Sequence, residues 1–381
     1  MLLSNLKRKR KESSFLNYYA LFEIPKSVLL LLYFVISFSV VCLYSSCGGK
    51  MYPWAFKQLM FLIIATIAFI FVVMLNIKII YHNTYKFFFF STLLLVAVIP
   101  FGKKALGASR WIDLGIFNLQ PSEIAKIAVV LALAKYFSKV NVKHIYRLKA
   151  SITSFIIILP ILSLIVIQPD LATSIIIFCI FVSILFVIGT PVWQFAFSGV
   201  CFITSLPFIW FYFLKEYQKN RIINFIFPEN DKFGTGYNII QSKIAVGSGG
   251  IFGKGFLQGT QGRLRFLPEH HTDFIFTIVG EEFGFIGGLV LILCYMYFVY
   301  YGLKVSNLTN SIYGKIICFG CSTILFLHTF INIGMVTALL PVAGVPLIMF
   351  SYGGCGLLIG MVCIALIINV DINKSVLRYK I

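Results

Sequence analysis

Gly262-Arg263-Leu264-Arg265-Phe266-Leu267-Pro268-Glu269-His270-His271-Thr272-Asp273-Phe274-Ile275-Phe276 is where a long polar stretch runs into an apolar helix. The chain holds only 13 acidic residues among 381, and four of them, Glu269, Asp273, Glu281 and Glu282, fall at or just beyond this junction. A carboxylate deep in a bilayer costs about 2.5–3.5 kcal/mol on insertion scales, and less near the edge. Such a group faces a protein interior or a wet cavity, which makes Asp273 the first functional candidate.

Outward from that junction the chain is lipid-soluble. It is 59% hydrophobic and 12% charged, against roughly 25% charged in soluble domains. The net charge of +19 does not point to nucleic acid, because the Lys and Arg sit between apolar runs. Anionic headgroups and an anionic substrate fit better. A helix needs about 20 apolar residues to cross a bilayer. The candidate spans are 27–45, 55–75, 87–101, 122–138, 150–168, 171–189, 194–214, 273–301, 314–334 and 346–370. The expected fold is therefore an all-α integral membrane protein of about ten transmembrane helices, with a long extracytoplasmic loop, 215–272, between helices 7 and 8. Residues 1–26 read as a basic cytoplasmic tail, 27–370 as the membrane domain and 371–381 as a second cytoplasmic tail.

Orientation follows from Lys and Arg in the short loops. Lys7 to Lys11 and Lys26, then Lys78 and Lys86, then Lys139 to Lys149, Lys304 and Lys374 to Lys380 fall on one side, the cytoplasmic one. The loops 102–121 and 215–272 are basic although exterior, as an anionic lipid-linked substrate requires. The N-terminus is not a secretory signal, since its apolar run is too long and no cleavage-site pattern follows. The nine cysteines lie mostly in predicted spans and imply neither a disulfide framework nor zinc. His82, His144 and His328 stand alone, with no metal-binding spacing.

Four further stretches stand out. The loop 247–262 holds seven glycines but spells neither dinucleotide nor P-loop pattern. It reads either as a re-entrant or surface loop, or as a nest of backbone N–H groups approaching a pyrophosphate. Gln120-Pro121-Ser122-Glu123 opens a helix on which Glu123 and Lys126 share a face. Asp170, in Gln168-Pro169-Asp170-Leu171, caps the following helix or joins a site. Asn332 through Gly354 reads as close backbone packing around a turn. Glu281 and Glu282, about two turns below Asp273, read as structural partners of cations on neighbouring helices.

Arg110-Trp111, Gln120 to Glu123, Gln168 to Leu171, the glycines of 247–259, Phe266 through Phe276 and Asn332 through Gly354 together resemble the SEDS family, the shape, elongation, division and sporulation proteins. The chain departs from the family pattern at Ala172, His270 and Cys355-Gly356. The resemblance implies a peptidoglycan glycosyltransferase. It polymerises lipid II at the outer face of the bacterial cytoplasmic membrane, in cell elongation and rod-shape maintenance, and releases undecaprenyl pyrophosphate. The alternative is a lipid II flippase without polymerase activity. Implied partners are the growing glycan strand, a class B penicillin-binding protein and the elongation machinery. Asp273 suits a base that deprotonates the attacking sugar hydroxyl. Arg110, Lys126, Arg263 and Arg265 suit the leaving pyrophosphate, with Glu123, Asp170, Gln261 and His271 as further substrate-binding candidates. No cofactor is called for with certainty. A divalent cation, Mg or Mn, bridging the pyrophosphate is left open, and no carboxylate cage for it is visible.

Overall fold

The computed structural model describes residues 15–105, 108–113, 115, 118–141, 146–231, 234–260, 269 and 271–374. The candidates Gln261, Arg263 and Arg265, the departure at His270, and most of both charged tails lie outside these residues. The described chain is helical: α1 (Lys26–Ser46), α2 (Trp54–Met74), α3 (Ile77–Phe101), α4 (Pro121–Lys139), α5 (Leu148–Ile167), α6 (Leu171–Ile188), α7 (Val192–Phe208), α8 (Glu216–Ile226), α9 (Thr235–Ser248), α10 (Ile275–Glu282), α11 (Gly284–Leu308), α12 (Ile312–Val336) and α13 (Gly354–Asn373). Among the described residues nine helices are long and apolar enough to cross a membrane. The tenth expected span is α4, which has the length but carries Glu123, Lys126, Lys135 and Lys139.

Those charges explain where α4 sits. A helix with ionisable groups in a bilayer turns them toward protein, and 15 of the 19 residues of α4 are buried. It packs against α3, α12, α5 and α6, and α13 lies against α2 and α12. Lys135, near the far end of α4, has no carboxylate beside it among the described residues. Its Nζ donates to the His82 carbonyl at 3.0 Å and lies 4.9 Å and 4.7 Å from the ring centres of Tyr81 and Tyr85, which compensate a cation inside protein. At the opposite extreme is the α7 span. None of its most apolar window is buried, so it lies at the edge of the bundle.

Four expectations change. Helix α3 begins at Ile77, capped by the Asn76 side chain on Lys78 N at 3.0 Å, so Lys78 and Lys86 are helical rather than in a loop. The segment after α3 forms a small antiparallel sheet, β1 (Lys103–Ala105), β2 (Ala108–Asp113) and β3 (Asn118–Leu119), the only sheet among the described residues. The last span starts at Gly354, not at 346, because residues 337–353 form an irregular segment. Above all, 273–301 is not one helix. It breaks between α10 and α11, where Gly284 has φ +65°.

The glycine-rich loop makes that break possible. A break frees carbonyls below it and N–H groups above it, which must find partners. Lys254 N and Gly255 N donate to the carbonyls of Glu281 and Glu282 at 2.9 Å and 3.1 Å. Phe285 N and Ile286 N donate to the carbonyls of Gly250 and Ile251 at 2.9 Å and 3.2 Å. A Cβ on Gly249 would fall 1.9 Å from the Gly280 carbonyl oxygen, and one on Gly253 2.1 Å from that of Glu282. These glycines permit backbone to lie on backbone.

Candidate functional site

The turn 271–274 and the irregular segment 337–353 hold each other by backbone contacts. Asn332 Nδ2, from α12, donates to the carbonyls of Asp273 and Val345, each at 2.8 Å. Ser351 Oγ donates to the Thr272 carbonyl at 2.6 Å, and Tyr352 N to that of His271 at 2.9 Å. Asp273 thus projects from a fixed turn just before α10. Gly344, at φ +70°, lies beside it, and a Cβ there would sit 3.5 Å from Asp273 Oδ2. The close packing read from Asn332 through Gly354 therefore serves to position this carboxylate.

Asp273 looks into a cavity of about 230 Å³. Arg110 and Trp111 of β2, Glu123 and Lys126 from the first turns of α4, Asp170 at the head of α6 and His328 of α12 line it. Five candidates separated by up to 163 positions in sequence, Arg110, Glu123, Lys126, Asp170 and Asp273, meet in one space.

Lys126 is completely buried. Its Nζ donates to Glu123 Oε1 at 2.6 Å and contacts His328 Nε2 at 2.5 Å. The other ring nitrogen of His328 faces the Pro346 carbonyl at 3.3 Å. A carbonyl only accepts, so Nδ1 carries the hydrogen and Nε2 accepts a hydrogen bond from the lysine. The pairing read from the Glu123 and Lys126 spacing is present, yet it leaves Glu123 Oε2, buried, without a hydrogen-bond partner, 4.0 Å from His328 Nε2. His328 is a site residue that sequence reasoning set aside. The only sequence signal was a histidine in an apolar run.

Asp170 fills both roles considered for it. It caps α6, accepting from Thr173 N at 3.4 Å and Thr173 Oγ1 at 2.9 Å. It also faces Gln120 Nε2 at 3.4 Å and Arg110 Nη1 at 3.9 Å. Arg110 donates a further hydrogen bond to the Pro169 carbonyl, while its buried Nε has no partner. His271 stands at the wall instead of lining the cavity. Its ring stacks on Trp54 at 3.9 Å between centroids, and Nε2 lies 3.9 Å from Glu269 Oε2.

Burial, reinforced by the neighbouring Glu269 charge and opposed by Arg221, raises the Asp273 pKa to about 6. A base with that value is ionised at neutral pH yet close enough to the operating pH to take a proton well. The described lining holds two cations, Arg110 and Lys126, against four carboxylates, Glu123, Asp170, Glu269 and Asp273. Among the described residues no three His, Cys, Asp or Glu side chains converge as a metal site. The protein groups do not fit a dedicated cage, and an ion bridging a pyrophosphate would draw its ligands mainly from substrate and water.

Glu281 and Glu282 are elsewhere. Glu281 Oε1 accepts from Lys254 Nζ at 2.6 Å, Thr260 N at 2.8 Å and Thr260 Oγ1 at 2.9 Å. Glu282 accepts from Ser45 Oγ of α1. The structural reading holds, but the cation for Glu281 comes from the glycine-rich loop and not from a helix, and Glu282 meets a hydroxyl.

An all-helical membrane bundle with an internal carboxylate, lysine and histidine cavity at one end defines the class. The chain matches the family described as "Cell cycle protein", which groups FtsW, RodA and SpoVE, over residues 20–376. It is 41% identical over 290 residues to "Peptidoglycan glycosyltransferase MrdB" of Escherichia coli, covering 76% of this chain and 78% of that one. It is 35% identical over 300 residues to "Probable peptidoglycan glycosyltransferase FtsW" of Haemophilus influenzae, covering 77% and 74%. A chain from a structure titled "Structural coordination of polymerization and crosslinking by a peptidoglycan synthase complex" superposes with a TM-score of 0.78 at 26% identity, covering 92% of this chain and 98% of that one. The chain belongs to the SEDS family.

Proposed function

We propose that Asp273 is the base with which this peptidoglycan glycosyltransferase joins the sugars of lipid II into glycan strands. The acceptor hydroxyl gives its proton to Asp273 as its oxygen bonds to the donor's anomeric carbon. The bond from that carbon to the pyrophosphate breaks, and its electron pair leaves with undecaprenyl pyrophosphate. Pyrophosphate is already a good leaving group, so no separate acid is needed. Lys126, locked by Glu123 and His328, and Arg110, locked on the Pro169 turn, offer fixed positive charge where negative charge develops. Glu123 and Asp170 hold these cations. Gln261, His271, Arg263 and Arg265 remain proposed substrate contacts from the resemblance.

The observation that carries this reading is a single half-buried carboxylate of raised pKa sharing a cavity with Lys126 and Arg110. We place the cavity on the outer face of the cytoplasmic membrane, with both termini inside, on the Lys and Arg count. The proposed partner is a class B penicillin-binding protein within the elongation machinery. Its support is the likeness to a chain of a complex described as coordinating polymerization and crosslinking. The test is polymerisation of lipid II by the purified protein, with and without a candidate transpeptidase. Asp273→Asn should abolish polymer while lipid II binding persists. Normal polymer from that variant, or flipping of lipid II in liposomes with no polymer under any partner condition, would overturn the reading.

A further inference from the structure

Helix α8 is tied at two points to elements that line the cavity. Tyr217 OH donates to the Pro169 carbonyl at 2.8 Å, the same oxygen that Arg110 reaches. One turn on, Arg221 Nη1 donates to the Ala343 carbonyl at 3.3 Å. Residues four apart share a helix face, so Tyr217 and Arg221 form the inner face of a strap from the α5–α6 turn to the segment before α13. The Arg221 guanidinium carbon also lies 5.8 Å from the centre of the Tyr217 ring.

The strap keeps register with α10. Asp231 gathers Asn224 Nδ2 of α8 at 2.6 Å, Gly234 N at 2.8 Å and Gly236 N at 3.4 Å. That fixes the turn into α9, and α9 ends at the Gly249 contact with the Gly280 carbonyl. Arg221 and Asp273 converge on Gly344: the position of a Cβ there is 4.0 Å from Arg221 Nη1 and 3.5 Å from Asp273 Oδ2.

We propose that Arg221 is a positioning residue for Asp273, held beside the same glycine by the α8 contacts, and that it keeps the carboxylate ionised in a cavity whose described lining carries more carboxylates than cations. This rests on Asp273 acting as the base. The charged and titratable groups facing Asp273 are Glu269 on its own turn, Arg221 on α8, Arg110 on β2, Glu123 and Lys126 on α4, Asp170 at α6, His328 on α12 and Tyr352 before α13. Glu269 and burial favour the protonated acid, and Arg221 opposes both. Lys126 and Arg110 are committed to Glu123 and to the Pro169 turn. Among the described residues Arg221 donates to a backbone carbonyl and forms no ion pair within 4 Å.

The test is the pH profile of kcat/KM for lipid II polymerisation by the full-length protein in lipid nanodiscs. In the wild type the acid limb should fall near pH 6. Arg221→Gln should move that limb upward by about half a unit to one unit, and Arg221→Lys should restore most of the difference. Tyr217→Phe loosens the strap without changing charge and should lower kcat while leaving the limb in place. A uniform loss at every pH in Arg221→Gln, with the limb unmoved, would make Arg221 a purely structural tie and overturn the inference. If Asp273→Glu also leaves the wild-type limb unmoved, the base assignment itself fails. If Asp273→Glu moves the limb and Arg221→Gln does not, only the role of Arg221 fails.

Discussion

Two carboxylate clusters, a few turns apart along the chain, are built on opposite plans. At Glu281 three donors converge on one oxygen, from Lys254 and Thr260, and glycines bring the backbone in close around it. In the cavity the groups are half satisfied. Glu123 Oε2 and Arg110 Nε are buried without hydrogen-bond partners among the described residues, and Asp273 is held at its backbone while its carboxylate faces the cavity. A buried polar group left unpaired costs about 1–3 kcal/mol. The first cluster's charges are met by protein groups, and the second's face a cavity.

The comparison is broken or sharpened first at Asp273. Asp273→Asn should lower polymerisation by about 10²–10⁴-fold, the range for losing a general base. It should not lower the melting temperature, because burial already favours the neutral form there. A variant that melts early would move Asp273 to the structural cluster.

Next come the cavity cations. Lys126→Ala alone leaves Glu123 as an uncompensated buried charge, which costs about 3–5 kcal/mol of stability and confuses the result. The double variant Glu123→Gln with Lys126→Gln removes both charges. It should fold and still lose about tenfold to a hundredfold in turnover. Recovery of activity in the double variant would make the pair structural. Arg110→Ala should fall in the same range.

The third check is pH. Asp273 titrates near 6 in the folded protein, above the ordinary 3.8. Activity that needs the ionised form should drop by about tenfold between pH 7.5 and pH 5. Stability runs the other way. The native state holds this proton more tightly than the unfolded chain, so the contribution is present below 3.8 and lost as pH rises through about 6. Parallel melts and rate profiles should therefore diverge in sign at this group, and Asp273→Asn should remove its share of both.

The smallest effect on turnover belongs to the Glu281 knot. Glu281→Gln weakens a charged hydrogen-bond cluster and should cost about 1.5–3 kcal/mol of stability. Turnover per folded molecule should stay within about threefold of wild type. A selective loss of turnover with an unchanged melt would show that the two clusters are not separate in function.

The membrane class, the main spans and the choice of Asp273 as first candidate follow from the sequence, because hydropathy and a scarce carboxylate at a polarity boundary are local properties. The spacing of Glu123 and Lys126 fixed their pairing for the same reason, since one helix carries both. Only the tertiary structure decided the rest. Lys126 and His328 are 202 positions apart, and their 2.5 Å contact arises because α4 and α12 pack side by side. The break after Glu282 is invisible to a hydropathy window, which sees one long apolar run across Gly284. It exists because the glycine-rich loop, about thirty positions earlier, supplies hydrogen bonds to the groups the break frees. Arg221 looks like one cation among many in a basic exterior segment. Its place beside Gly344, next to Asp273, depends on α8 being tied at Pro169 and Ala343, contacts that no periodicity along the chain records.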